Sequence, residues 1–162
     1  MKKQTSLIAA AFLALVCCAF TVTATTPPAA KDLLMSFNET LDSSSTLDGN
    51  VTLTGAISDR GTRHEDFSVV SVNSDGSQVV VSGTSLITTA SGTISTKFTG
   101  TIYFDNATFG STLLAYIEGT ESVTGGTGAY AGVTGKPGTF EATLDYSNGG
   151  VLGVFEAKVQ LK

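Results

Sequence analysis

Gly125-Gly126-Thr127-Gly128-Ala129-Tyr130-Ala131-Gly132-Val133-Thr134-Gly135-Lys136-Pro137-Gly138 joins two well-patterned strands and carries six glycines. Glycine-rich segments invite a phosphate-binding reading, and two such motifs can be tested. Gly126-Thr-Gly128-Ala-Tyr-Ala131 matches a relaxed dinucleotide fingerprint, but that chemistry needs a helix whose N-terminus holds the pyrophosphate. Gly132, Gly135, Pro137 and Gly138 break any such helix, and no βαβ pattern surrounds them. A phosphate loop ending in Gly135-Lys136 fails too, because Tyr130 stands where a glycine is required and Pro137 where Ser or Thr is. What remains is structural. The glycines let the backbone take positive φ and pass close to its neighbours, while Tyr130 plugs inward. This predicts a crossing over one end of a barrel that feeds the last hairpin.

Downstream, Phe140, Ala142, Leu144 and Tyr146 alternate with Thr139, Glu141, Thr143 and Asp145, and Asn148-Gly149 supplies a tight turn. Val151, Gly153, Phe155, Ala157, Val159 and Leu161 then share one face, with Glu156, Lys158 and Gln160 opposite. A one-residue slip would bury Glu156 and Lys158, so the register is tightly specified.

Upstream, the same period-two pattern recurs. Lys31 to Leu41 fits a first strand, with Met35, Phe37 and Leu41 in alternation, followed by a polar loop at Asp42 to Thr46. Asn50 to Ile57 puts Val51, Leu53 and Ile57 on one face. Ser58 to Thr62 reads as a turn, His64 to Asn73 as a strand, and Asn73-Ser74-Asp75-Gly76 as a hairpin turn. Gln78 to Thr89 returns, with Gly83 expected to mark a bulge or bend. After Ala90-Ser91-Gly92, Thr93 to Phe104 places Ile94, Phe98, Ile102 and Phe104 on one face and threonines on the other. Asp105 to Thr108 reads as a loop, and Ser111 to Val123 as a strand distorted at Gly119. Seven to nine antiparallel strands with no helical periodicity mean a closed barrel or a sandwich, and closure removes the exposed edges.

The N-terminus reads as a targeting segment. Lys2 and Lys3 precede an apolar run, Leu7 to Phe20, and Val22-Thr23-Ala24 offers a signal-peptidase site. The run falls short of the ~20 residues of a membrane helix. Residues 1–24 are therefore read as a signal peptide, 25–31 as a flexible lead and 32–162 as a single barrel domain. Export implies a secreted or periplasmic protein. Cys17 and Cys18 are the only cysteines, so cleavage after Ala24 leaves none and a packed core must carry stability. The mature chain keeps seven basic residues against fourteen acidic ones. That balance offers no basic stripe for nucleic acid and no attraction to anionic membranes.

Candidate chemistry is sparse. No metal-ligand spacing and no cofactor motif is found. His64, the only histidine, lies in Arg60-Gly61-Thr62-Arg63-His64-Glu65-Asp66, read as a solvated charged turn; the sharper alternative has Arg60 or Arg63 meeting an anionic ligand at a barrel mouth. Glu118 and Glu121 flank Gly119, and Glu118 is the candidate interior carboxylate. Tyr103, Tyr116 and Tyr130 are candidate cavity-lining side chains with polar handles. The acceptor patterns at Asn38, Asn50 and Asn106 are read as incidental in so Thr-rich a chain.

The segment Ser122-Val-Thr-Gly125-Gly-Thr-Gly128-Ala-Tyr-Ala-Gly132-Val-Thr-Gly135, followed by Gly138-Thr-Phe140, resembles the signature of the dirigent and allene oxide cyclase-like β-barrels. The likeness runs from about Ile117 to Phe140, and the sequence departs from it in the inserted Lys136-Pro137 and in Ala129. The resemblance implies a closed, calycin-like antiparallel barrel of about eight strands with a central cavity, a secreted bacterial member, and scope for homo-oligomers. No family active-site residue aligns with this chain. The leading expectation is an exported barrel that binds a small hydrophobic ligand or serves as a stable extracellular module. One alternative is a cyclase-like enzyme or stereochemical guide for a hydrophobic substrate. Another is a structural or adhesive surface protein using its Thr-rich outer face.

Overall fold

The computed structural model describes residues 28–104 and 114–161. The expected signal peptide, its cleavage site, Cys17 and Cys18, the Asp105–Thr108 loop and the start of a strand at Ser111 lie outside the described residues. Nine strands follow in order: β1 (Lys31–Leu41), β2 (Thr46–Gly55), β3 (Asp59–Val72), β4 (Gln78–Thr89), β5 (Gly92–Tyr103), β6 (Leu114–Gly126), β7 (Thr134–Gly135), β8 (Gly138–Asp145) and β9 (Gly150–Gln160). Each of β1 to β5 pairs antiparallel with the next, β6 pairs with β8 and β8 with β9. Pairing of β9 back onto β1, from Lys31↔Val159 to Thr40↔Gly150, closes an eight-stranded barrel with no free edge. The two-residue β7 sits outside the eight, against Val159 and Gln160 at the end of β9. No helix among the described residues is long and apolar enough to cross a membrane.

Alternation sends one face of every strand inward. Leu33, Met35 and Phe37 of β1, Val51 and Leu53 of β2, Ile87 of β4, Ile94 and Phe98 of β5, and Val151, Phe155 and Val159 of β9 are all buried in one core. Glu156 and Lys158 stay outside, as the register of the last hairpin requires. Strand β1 begins at Lys31, one residue inside the expected flexible lead.

Three local expectations are corrected. Ser58 to Thr62 is not a turn beyond its first residues, because β3 starts at Asp59 and pairs Gly61 with Val51 on one side and Thr89 on the other. Gly83 is no bulge, and β6 is not distorted at Gly119, which pairs in register with Gly100. The extra residues are Val70, where β3 slips against β4, and Thr124, where β6 slips against β5.

The interior glycines instead make room for rings. A Cβ on Gly100 would lie 2.7 Å from Phe140 Cζ, one on Gly119 2.6 Å from Phe140 Cε1, and one on Gly83 2.8 Å from Phe98 Cζ. Gly153 gives the same space to Phe37. Phe98 and Phe140 then meet edge to face, with centroids 6.0 Å apart. Large rings on some strands face missing side chains on others, which is how a narrow barrel fills its section.

Gly100→Ala is therefore expected to lower stability by about 1–3 kcal/mol through overpacking. Adding Phe140→Leu should recover part of that loss in urea unfolding. Equal losses with and without Phe140→Leu would show that the ring is not what the glycine accommodates.

Candidate functional site: the barrel interior and its mouth

The two ends of the barrel differ. The end holding Leu33, Leu53, Ile57, Ile87, Ile94 and Val123 is covered by the glycine-rich crossing. There Gly128–Tyr130 forms a single 3-10 turn and Tyr130 is buried. The backbone N–H of Ala129 donates to Ser91 O at 2.9 Å and that of Thr127 to Thr93 O at 2.9 Å. The Tyr130 hydroxyl donates to the Asp59 carboxylate, with Thr89 Oγ1 3.4 Å from the hydroxyl oxygen. That bond from Tyr130 is the main cause holding Asp59 well below the usual carboxylate range.

The motif glycines divide by role. Gly128 (φ 58°) and Gly132 (φ 76°) take a backbone conformation that favours glycine. Gly126 and Gly138 lie against neighbouring backbone, and Gly135 is closely packed. Gly125 has open space where a side chain would stand. The crossing is thus the structural cover the sequence predicts, and Tyr130 belongs to that cover.

The other candidates lie elsewhere. On β6, Ala115, Ile117, Glu121 and Val123 are buried, so Tyr116 and Glu118 belong to the outer face. Tyr103 stacks on Tyr116 there, with centroids 6.3 Å apart, and its hydroxyl donates to Glu118 Oε1 at 2.9 Å. Glu118 is consequently not the interior carboxylate. Glu121 is, because it shares parity with Ile117 and Val123. His64 is also outside. Its Nδ1 lies 2.7 Å from Asp48 Oδ1, and that hydrogen bond raises its pKa. Among the described residues no group of His, Cys, Asp and Glu is arranged to hold a metal ion.

Arg63 departs furthest from the sequence reading. It sits neither in a solvated turn nor at an open rim, but inside the barrel at 3% exposure. Its Nη1 donates to Glu39 Oε2 at 3.0 Å. Its Nη2 donates to both oxygens of Glu121 at 3.1 Å and contacts Glu65 Oε1. The route from Arg63 to Glu39 passes over Gly49, which pairs with both and carries no side chain. Thr96 Oγ1 donates to Glu121 Oε1 at 2.5 Å, and Ser85 Oγ lies 2.5 Å from Thr96 Oγ1. The guanidinium carbon stands 4.4 Å from the Phe37 ring centroid, a cation–π contact. Glu39 Oε1 and Arg63 Nε are buried with no partner among the described residues.

One guanidinium facing three buried carboxyls cannot keep all three ionised without a large desolvation penalty. Burial pushes Glu39 from 4.5 up to about 7; Arg63 opposes the rise and Glu121 adds to it. Burial pushes Glu65 up to about 8, again against Arg63 and with Glu39 and Glu121 adding. Burial alone would lower the pKa of Arg63, but Glu121, Glu65 and Glu39 together raise it, so it stays charged.

Beside this cluster, toward the end where β5 stops and β6 starts, lies a cavity of about 70 Å³. Phe37, Phe67, Phe98 and Phe140 line it, with Arg63 and Glu65 on its wall. On β4, β5 and β6 the polar residues Ser85, Thr96 and Glu121 separate Ile87, Ile94 and Val123 at the covered end from Val81, Phe98 and Ile117 beside the cavity. Among the described residues the site is a polar floor beside an apolar cavity.

Comparison with family models, with curated proteins and with solved structures finds no match to this chain.

Because Glu39 and Glu65 titrate at about 7 and 8 when folded and near 4.5 when unfolded, the folded state holds more protons between those values. Stability then falls as pH rises through that window. Raised His64 acts in the same direction. Urea unfolding at pH 5 and pH 9 should show a loss of about 2 kcal/mol or more at the higher pH. A flat or rising profile would contradict the protonated carboxyls.

Proposed function

We propose that this chain is an exported, calycin-like barrel that binds a small apolar group in its mouth. The observation carrying this reading is the cavity itself. Four phenylalanines and two buried charged side chains share its wall. Binding sites join a mostly apolar lining to a few polar groups that fix orientation.

Size narrows the ligand. About 70 Å³ is roughly half the ~150 Å³ that accommodates benzene in an engineered cavity. It is far below the ~300 Å³ of a site that engulfs a drug-sized molecule. The group that enters is a short chain end or the edge of a ring, and any remainder of the ligand lies across the rim. A dirigent- or cyclase-like activity, as the sequence resemblance implies, would need room for more of the substrate. The alternative of a stable extracellular module draws support from how much of the interior is filled.

Export rests on Lys2, Lys3 and the Leu7–Phe20 run, and mass spectrometry of the protein from culture medium or periplasm should find Thr25 at the N-terminus. For the mouth, toluene and 1-butanol titrated into the mature protein should shift the NMR methyl signals of Val81, Ile102, Ile117 and Val151, and Leu144→Trp at the rim should suppress the effect. If neither compound moves these methyls, the binding reading fails and the module reading gains.

A further inference from the structure

We propose that the polar group selected by this mouth is a cation, so that the ligand class is a small alkyl or aryl ammonium. This rests on the preceding reading of the mouth as a binding site. The buried charged residues among those described are Glu39, Arg63, Glu65 and Glu121, three carboxyls against one guanidinium. The nearby cations outside the barrel do not offset this. His64 and Lys97 are exposed on the outer face.

The three carboxyls are not equally engaged. Both oxygens of Glu121 accept from Arg63, and Oε1 also accepts from Thr96. Glu39 gives one oxygen to Arg63, and its Oε1 has no partner among the described residues. Glu65 has Arg63 as its only polar partner among the described residues, and it is the carboxyl on the cavity wall. An ammonium entering past the phenylalanine rings would find Glu65 as the carboxyl on the wall, beside Arg63. Aromatic faces attract cations, and Phe37 already holds the Arg63 guanidinium in this way.

Charge decides among ligand classes. A carboxylate would add negative charge beside three carboxyls that already share one cation and are partly held protonated by burial. A hydroxyl would fit without correcting the imbalance. An ammonium supplies missing positive charge, and Glu65 ionises as it binds, releasing its proton to solvent. No covalent bond forms or breaks beyond that proton transfer.

The experiment compares n-butylammonium, 1-butanol and butyrate, matched in chain length, by NMR titration of the mature protein at pH 7. The expected order is butylammonium about tenfold tighter than butanol, with butyrate weakest. Glu65→Gln keeps the shape and removes the charge. Its methyl NMR spectrum should keep the dispersion of the unaltered protein, which verifies the fold, and its butylammonium and butanol affinities should come within about twofold of each other. Butanol binding as tightly as butylammonium, butyrate binding best, or a preference unchanged in Glu65→Gln would overturn the ammonium assignment while leaving the binding reading intact. No binding of any of the three would overturn the binding reading itself.

Discussion

Three carboxyl groups converge on the Arg63 guanidinium, and all four side chains are buried inside the barrel. A buried charge without its partner is among the most destabilising features a fold can contain. The positions of β1, β3 and β6 are therefore coupled through one side chain. Arg63 reaches Glu39 across β2 only because Gly49 leaves the way open, and reaches Glu121 across β4 and β5 only because Ser85 and Thr96 are small and polar. An apolar residue at either place would leave Glu121 short of donors.

That polar floor sets the character of both ends. On one side Ile87, Ile94 and Val123 pack under a crossing tied down by Tyr130 and Asp59. On the other, Phe98 and Phe140 pack edge to face in space left by Gly83, Gly100 and Gly119, and a small cavity remains between the rings and the floor. Burial, with the neighbouring carboxyls adding, raises Glu39 and Glu65, and the proposed cation would meet that same cluster. On the proposed reading, fold stability and ligand preference draw on one cluster of charged groups.

Much of the architecture was legible because hydrophobic alternation was clean. The last hairpin, the Asp75-Gly76 turn and the β5 face followed directly from period two, and the glycine-rich crossing followed from the absence of any helix to hold a phosphate. The floor was harder to see. On β3 both faces are polar from Arg60 to Asp66, so alternation gives no sign of which side is inside. Two of the three carboxyl partners of Arg63, Glu39 and Glu121, lie 24 and 58 residues away, beyond the reach of local pattern. Parity did hold a signal. Glu39 continues the Met35, Phe37 series, Thr96 stands between Ile94 and Phe98, and Glu121 shares its face with Ile117 and Val123. Glu118 and Tyr116 fall outside because Ile117 between them takes the inward position, and Tyr103 is paired with Tyr116 on that outer face. The cavity was illegible, since it depends on how rings on four strands fill one cross-section.

The most direct measurement of the central claim is the urea unfolding free energy at pH 7 of Arg63→Met alone and of Arg63→Met with Glu121→Leu. The account predicts a loss of about 3–5 kcal/mol for the single change, which strands Glu121, and recovery of most of it in the double variant, which removes the stranded charge as well. A single-variant loss under about 1 kcal/mol, as at an ordinary surface position, or a double variant no more stable than the single, would contradict the claim that Arg63 and its carboxyls organise the interior.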